Sequence, residues 1–227
     1  MQYSTFAAID IGSYDVILEI FEISKKQGIR SVDKICHRME LGKDTYTLGK
    51  IRPEMEEELC RVLADFVRIM EGYRVDDYRA TASSAISEAS NSLYVLGKIH
   101  QLTGLSVTVL SNSEQRFLSY KALAAMEDNF NKIIEKGTAI LDLDGGSFQI
   151  SLFDKDALVT TQNIRMGSLR VRERLAGIQS ETEHYEEMVE ELIWNEVSSF
   201  KKMYLKDRKI ENIMLIGDVF TDSVYQN

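Results

Sequence analysis

Ile140-Leu141-Asp142-Leu143-Asp144-Gly145-Gly146-Ser147 is an apolar run that carries one aspartate and then breaks into a turn of small residues. A near copy, Ala8-Ile9-Asp10-Ile11-Gly12-Ser13, stands about 130 residues earlier. Each reads as a buried strand running into a tight turn. An Asp at the end of such a strand can orient a metal-bound or attacking water, and Gly and Ser there expose N–H and hydroxyl donors suited to phosphate oxygens. Two such turns facing one another would make a phosphate clamp. The second copy is altered, because Asp144 stands where the turn calls for an uncharged small residue.

The rest of the chain reads outward from these two points. Phe6 to Ile11 and Val16 to Ile23 are two strands joined by Gly12-Ser13-Tyr14-Asp15, and Ser31 to Glu40 continues the sheet. Pro53 opens a long amphipathic helix through Leu59, Leu63, Phe66 and Met70. A strand at Tyr78 to Ala82 leads to helices around Ala85 to Ala89 and at Ser92 to Thr103, the latter ending near Gly104. Leu105 to Leu110 is a strand and Ser113 to Met126 a helix. The second Asp-bearing strand, Thr138 to Leu143, precedes a strand pair at Phe148 to Phe153 and Ala157 to Ile164. Glu181 to Lys202 is a helix, acidic at its start and basic at its end as the helix dipole favours, and its acidic part reads as a solvated face. Ile213 to Ile216 is a last strand. Strand pairs ahead of helices make this an α/β chain.

Composition bounds the function. The 227 residues are 44% hydrophobic and 28% charged, enough for one large core or two modest ones. No apolar run approaches the roughly 20 residues of a membrane span, and the opening Met-Gln-Tyr-Ser lacks a signal-peptide pattern. A cytoplasmic protein without membrane partners is expected. The net charge of −9 argues against nonspecific nucleic-acid binding. Cys36 and Cys60 lack metal-ligand spacing and stand in apolar surroundings, which predicts two buried free thiols. His37, His100 and His184 form no ligand cluster, so a zinc site is not expected.

Five segments, in order, resemble the Ppx/GppA family of exopolyphosphatases and guanosine pentaphosphate phosphohydrolases, of the actin, sugar kinase and Hsp70 superfold. Phe6 to Ser13 is similar to the family's opening phosphate loop, and Ala80 to Asn91 to its "TSAIREASN" segment. Val109 to Arg116 is similar to "LSGEEEAR", Ile140 to Ser147 to the second phosphate loop, and Arg165 to Arg170 to "PLGAVR". The resemblance implies two ribonuclease-H-like (actin-like ATPase) domains facing across a cleft, residues 1–121 and 122–227. It also implies hydrolysis of the terminal phosphoanhydride of polyphosphate or guanosine pentaphosphate, with Mg²⁺ near Asp10 and Asp142. Phosphate would be held by Asp10, Gly12, Ser13, Gly145, Gly146, Ser147 and Arg170.

Hydrolysing a phosphoanhydride requires a carboxylate for the water and donors or metal for the phosphoryl oxygens. Aligned without gaps, the family's catalytic Glu falls on Gln115, with Glu114 one residue earlier as the other candidate base beside Asp142. Glu114 is equally placed to cap the helix that follows it. The family's phosphate-gripping Arg falls on Ser87, the first glycine of the second loop on Asp144, and a further acid on Gln149. Losing a general base typically costs about 10² to 10⁴ in rate. Two readings stay open: a weak phosphatase, or a family member that binds a phosphate ligand or serves as a scaffold, with Tyr14 and Asp144 filling the cleft.

Leu215 to Thr221 resembles the family's "GASGT" turn with its small residues replaced. Family members continue further, so the expectation is either a fragment of a longer protein or a domain that ends early. A final strand would leave the second sheet partly uncovered, which points to an added partner or a homodimer.

Overall fold

The computed structural model describes residues 3–126, 129–179, 184–206 and 208–217. The chain divides into two compact units, Met1–Asn112 and Ser113–Asn227.

In the first unit, β1 (Ser4–Ile11), β2 (Asp15–Ser24) and β3 (Gly28–Arg38) form an antiparallel meander. Next come α1 (Leu41–Leu48), α2 (Pro53–Gly72), β4 (Asp77–Ala82), α3 (Ser84–Ser87), α4 (Ser92–Thr103) and β5 (Val107–Val109). β4 lies parallel to β1 and β5 parallel to β4, giving the sheet order β3-β2-β1-β4-β5. The period-two alternation of the strands sends Ala7, Ile9 and Ile11 of β1 and Val16, Leu18 and Ile20 of β2 to one buried face. Leu59, Leu63 and Phe66 of α2 and Val95 and Ile99 of α4 complete that core. Pro53 occupies the first turn of α2, where its missing N–H costs nothing. Gly104 ends α4 with φ 74°, a left-handed conformation that glycine adopts without strain.

The second unit contains α5 (Asn112–Met126), which starts at the boundary, then α6 (Phe130–Ile134), β6 (Thr138–Leu143), β7 (Phe148–Asp154) and β8 (Ala157–Ile164). It continues through α7 (Ser168–Gln179), α8 (Tyr185–Tyr204) and β9 (Asn212–Gly217). Its sheet order, β8-β7-β6-β9, repeats that of the first four strands of the first unit. The register repeats too. Asp10 is paired with Ile17 and with Thr81 of the parallel neighbour, and Asp142 is paired with Gln149 and Ile216. Phe148, Ile150, Leu152, Ile164 and Phe200 pack on one side of this sheet; Phe130, Ile134, Ile140 and Phe153 pack together as a separate cluster.

The expected strands and long helices are present, with three additions: α1, α6 and α7 fall in segments whose sequence gives no helical period. The expected burial of both cysteines holds only for Cys60. Cys36 is exposed, because β3 is an edge strand whose residues are exposed or half-buried along its whole length. The start of the acidic helix at residues 181–183 and the "GASGT"-like turn after Gly217 lie outside the described residues.

Candidate functional site

The two Asp-bearing strands enter hairpin loops of the same length. Gly12 N–H donates to Asp15 O at 3.0 Å, and Asp144 N–H donates to Ser147 O at 3.0 Å. Asp144 therefore holds the place that Gly12 holds in the first copy, where an added Cβ would stand 3.0 Å from Asp15 O. The Asp144 carboxylate folds back and accepts the Gly145 N–H at 2.6 Å, a short charge-assisted contact. One donor of the loop thus already serves an internal anion.

The N-terminal turn of α7 supports this loop from behind. Ser168 N–H donates to Asp144 O at 3.2 Å and Arg170 N–H to Gly145 O at 3.1 Å. The Arg170 guanidinium donates through Nε to Gly146 O at 2.8 Å, and Asn163 donates to the Ser147 hydroxyl at 3.1 Å. Gly167 makes the close approach feasible, since a Cβ there would lie 2.3 Å from both Asp144 O and Ser147 N. Ser147 lies in the loop, and Arg170 braces the loop from α7. Asn163 and Gly167 were not expected as partners, and their signal is topological: β8 pairs with β7, setting Asn163 opposite Gln149.

Below the loop, α5 packs over a polar stretch of the sheet. The Ser119 hydroxyl donates to Asp142 Oδ2 at 3.3 Å. Burial pushes the Asp142 carboxyl above the ordinary aspartate value, with the Ser119 hydroxyl acting the other way. Gln115 is half-buried and lies one helical turn before Ser119 on the same face, whereas exposed Glu114 sits about 100° around the helix. Gln115, and not Glu114, therefore shares the face of α5 from which Ser119 meets Asp142. Ser151 and Thr161 hydroxyls lie 3.1 Å apart, and Arg116 donates to Thr161 at 3.3 Å. Of this polar layer the sequence singled out Gln149 alone; Ser151, Thr161 and Asn163 were missed because they lie in strands that read as core.

In the first unit, Asp10 is exposed at the end of β1 with Thr81 Oγ1 at 3.4 Å. Ser13 is fully buried, and its hydroxyl lies 2.6 Å from Tyr46 Oη and 3.2 Å from Ser84 Oγ, which are themselves 2.9 Å apart. Three hydroxyls therefore lock the loop to α1 and α3. Tyr46 carried no signal in the sequence. The Tyr14 ring lies under the Arg38 guanidinium at 4.4 Å, and the Tyr14 carbonyl accepts the Met39 and Glu40 N–H groups. Ser87, in the place of the family's arginine, is exposed at the end of α3. Asn91 of the same segment is a clamp: its amide donates to Ile51 O and Glu56 Oε1, each at 2.8 Å, and accepts Ile51 N–H at 3.0 Å.

Among the described residues no three His, Cys, Asp or Glu side chains come together as a metal cage. Mg²⁺ rarely needs one, since it keeps several waters and takes one or two carboxylates together with substrate phosphates. Asp142, a half-buried carboxylate next to a hydroxyl donor, fits that requirement in the second unit, and exposed Asp10 fits it in the first.

Two sheets of repeated order, each opening with an Asp-bearing strand and a four-residue loop, define the actin-like ATPase superfold. The sequence model of the Ppx/GppA phosphatase family matches residues 19–226, and the chain belongs to that family. It is 21% identical over 174 residues to a bifunctional 3-dehydroquinate synthase/phosphatase of Fusobacterium nucleatum, covering 74% of this chain and 26% of that protein. It is 25% identical over 144 residues to exopolyphosphatase 1 of Mycobacterium leprae, covering 63% of this chain and 41% of that one. The crystal structure of an exopolyphosphatase from Cytophaga hutchinsonii superposes with a TM-score of 0.78 at 19% identity, over 94% of this chain and 66% of that one. The chain spans less than half the length of these two curated relatives.

Proposed function

We propose that this chain is an exopolyphosphatase-like protein that takes terminal phosphates of polyphosphate or guanosine pentaphosphate against the Asp144–Ser147 loop and hydrolyses them slowly. The observation that carries this reading is Gln115, which occupies the face of α5 that Ser119 directs at Asp142.

The chemistry follows from the side chains. The N–H groups of the loop and the Ser147 hydroxyl suit phosphoryl oxygens, and Arg170 holds the loop carbonyls away from them. A Gln115 carbonyl can accept a hydrogen bond from water and orient it, yet it cannot take the proton. That loss alone is about 10² to 10⁴ in rate. The Asp144 carboxylate competes for the Gly145 N–H, and at about 4 Å from a phosphate oxygen it adds about 1 to 4 kcal/mol of repulsion. A magnesium ion held through Asp142, when bound, would supply charge that offsets this repulsion. Asp142 itself would orient the ion or the water.

The test compares phosphate release from long-chain polyphosphate and from guanosine pentaphosphate, with Mg²⁺, by the wild type and by Gln115→Glu, alongside calorimetric titration with each substrate. The expected result is binding by both proteins and release at least about 10²-fold faster from the variant. A wild type that hydrolyses as fast as the variant sinks the assignment of the lost base to Gln115. A wild type that gives no binding heat with either substrate sinks the phosphate-ligand reading and leaves a scaffold.

A further inference from the structure

The first turns of α5 carry a cation that the proposed chemistry leaves unused. Arg116 is half-buried, and its guanidinium donates through Nη1 to Thr161 Oγ1 at 3.3 Å and through Nη2 to Ser113 Oγ at 3.2 Å. Both partners are neutral hydroxyls, and among the described residues no carboxylate forms an ion pair with it. A guanidinium has five N–H donors and stays charged in proteins. Three donors and the whole charge therefore remain for an anion.

One face of β8 joins this cation to the second loop. Thr161 and Asn163 are alternate residues of the strand, about 7 Å apart on the same side, and Asn163 donates to the Ser147 hydroxyl at 3.1 Å. Across the ladder Thr161 pairs with Ser151, and Asn163 with Gln149, which pairs in turn with Asp142. The Ser151 hydroxyl lies 3.1 Å from that of Thr161, and Tyr120 Oη is buried without a hydrogen bond. Burial raises the Tyr120 hydroxyl above its ordinary value, while Ser151, Thr161 and Arg116 act the other way. These hydroxyls back the guanidinium, and a polar track runs from Ser147 through Asn163 to Arg116.

We propose that Arg116 is an anion subsite for the inner phosphoryl groups of a chain whose terminal group sits on the Asp144–Ser147 loop, so that the site selects anions of three or more linked phosphoryl groups. This rests on the reading of that loop as the place of the terminal phosphate. A single phosphate at Ser147 cannot reach a cation held about 7 Å further along β8, whereas the third group of a linear chain does. Polyphosphate and the 5′-triphosphate arm of guanosine pentaphosphate both present three groups in line. The planar fork of donors suits two oxygens of one phosphoryl group. Thr161 and Ser113 fix that fork in advance, which lowers the ordering cost of binding. A cation here also counters the charge that Asp144 adds at the loop.

The experiment is calorimetric titration of the full chain, with Mg²⁺, by orthophosphate, pyrophosphate and tripolyphosphate. The wild type is compared with Arg116→Ala and Arg116→Lys, and thermal unfolding checks that each variant is folded. The wild type is expected to bind tripolyphosphate more tightly than pyrophosphate. Arg116→Ala should lose about tenfold or more of the tripolyphosphate affinity and keep the orthophosphate and pyrophosphate affinities within about twofold. Arg116→Lys, which keeps the charge and lacks the fork, should fall between, and it carries the same comparison if alanine unfolds the chain. Variants that bind all three anions as the wild type does overturn the subsite and leave the loop reading standing. An equal loss for all three anions means that Arg116 shapes the loop itself, which also overturns the subsite. A wild type that binds none of them removes the loop reading and the subsite with it.

Discussion

Replacing Gly167 by alanine tests whether α7 fixes the second loop. A Cβ at this position would lie 2.3 Å from Asp144 O, 2.3 Å from Ser147 N and 2.4 Å from Gly145 C. All three are backbone atoms of the loop, so no side-chain rotation relieves the overlap, and either α7 or the loop must move by about 1 Å. Overpacking of this kind costs about 1 to 3 kcal/mol. The movement also strains the Ser168 and Arg170 N–H contacts to the loop carbonyls, each worth about 0.5 to 1.5 kcal/mol. Together about 3 kcal/mol is expected, which for a unit of this size lowers Tm by about 10 to 15 °C. Gly97→Ala is the control, because nothing lies within 4 Å of its added Cβ in the middle of α4. It should stabilise by about 0.5 to 1 kcal/mol. Thermal unfolding measures both, and calorimetric titration with polyphosphate shows whether Gly167→Ala also weakens binding. A Tm for Gly167→Ala within about 2 °C of the wild type refutes the close approach of α7 to the loop.

Tyr46→Phe removes the hydroxyl shared by Ser13 and Ser84 and should destabilise the first unit by about 1 to 2 kcal/mol in urea unfolding, with phenylalanine filling the same space. Asn91→Ala removes three hydrogen bonds at once, and a loss of about 2 to 3 kcal/mol is expected in the same assay. In thiol labelling, exposed Cys36 should react at once and buried Cys60 only as the first unit opens. Burial raises the Cys60 thiol above its ordinary value. The stabilisation from keeping it neutral is therefore whole below pH 9.0 and is lost as pH rises through the higher folded-state value. Unfolding followed from pH 8 upward, with Cys60→Ala as reference, checks the sign.

Periodicity made much of the fold legible. The apolar runs of β1, β2, β6 and β7, bounded by turn residues, and the apolar stripe of α2 behind Pro53 each identify an element. α1 and α7 escaped because tertiary contacts form them. Leu-Gly-Lys-Asp-Thr-Tyr-Thr-Leu, residues 41–48, has no apolar period, and it is held instead by Thr45 Oγ1 on Ala85 O and by Tyr46 on Ser13 and Ser84. The site was legible as loops and as Asp142, since turn chemistry is local. Its supporting contacts were not, because Ser13 meets residues 33 and 71 positions away and Asn163 meets Ser147 across a strand pair. Cys36 misled because apolar neighbours in sequence do not bury a residue on an edge strand.

The two units also serve as each other's control for what a phosphate loop requires. Both hairpins close with the same 3.0 Å bond between first N–H and fourth carbonyl, so the difference between them lies in side chains rather than in backbone length. In the first loop Ser13 is withdrawn into a hydroxyl cluster and Tyr14 is held by Arg38, so its remaining recognition falls to backbone N–H groups and exposed Asp10. In the second loop Gly145 and Gly146 carry no side chains, and the obstacle is a single carboxylate that the loop's own Gly145 N–H holds in place. Under the proposed function a phosphate ligand displaces that carboxylate at the cost of one hydrogen bond, without rebuilding the fold. The loss of a proton acceptor at Gln115 is independent of that obstacle, because it acts on the water and not on the phosphate. Under the proposed function, binding and turnover separate: the first answers to residue 144 and the second to residue 115.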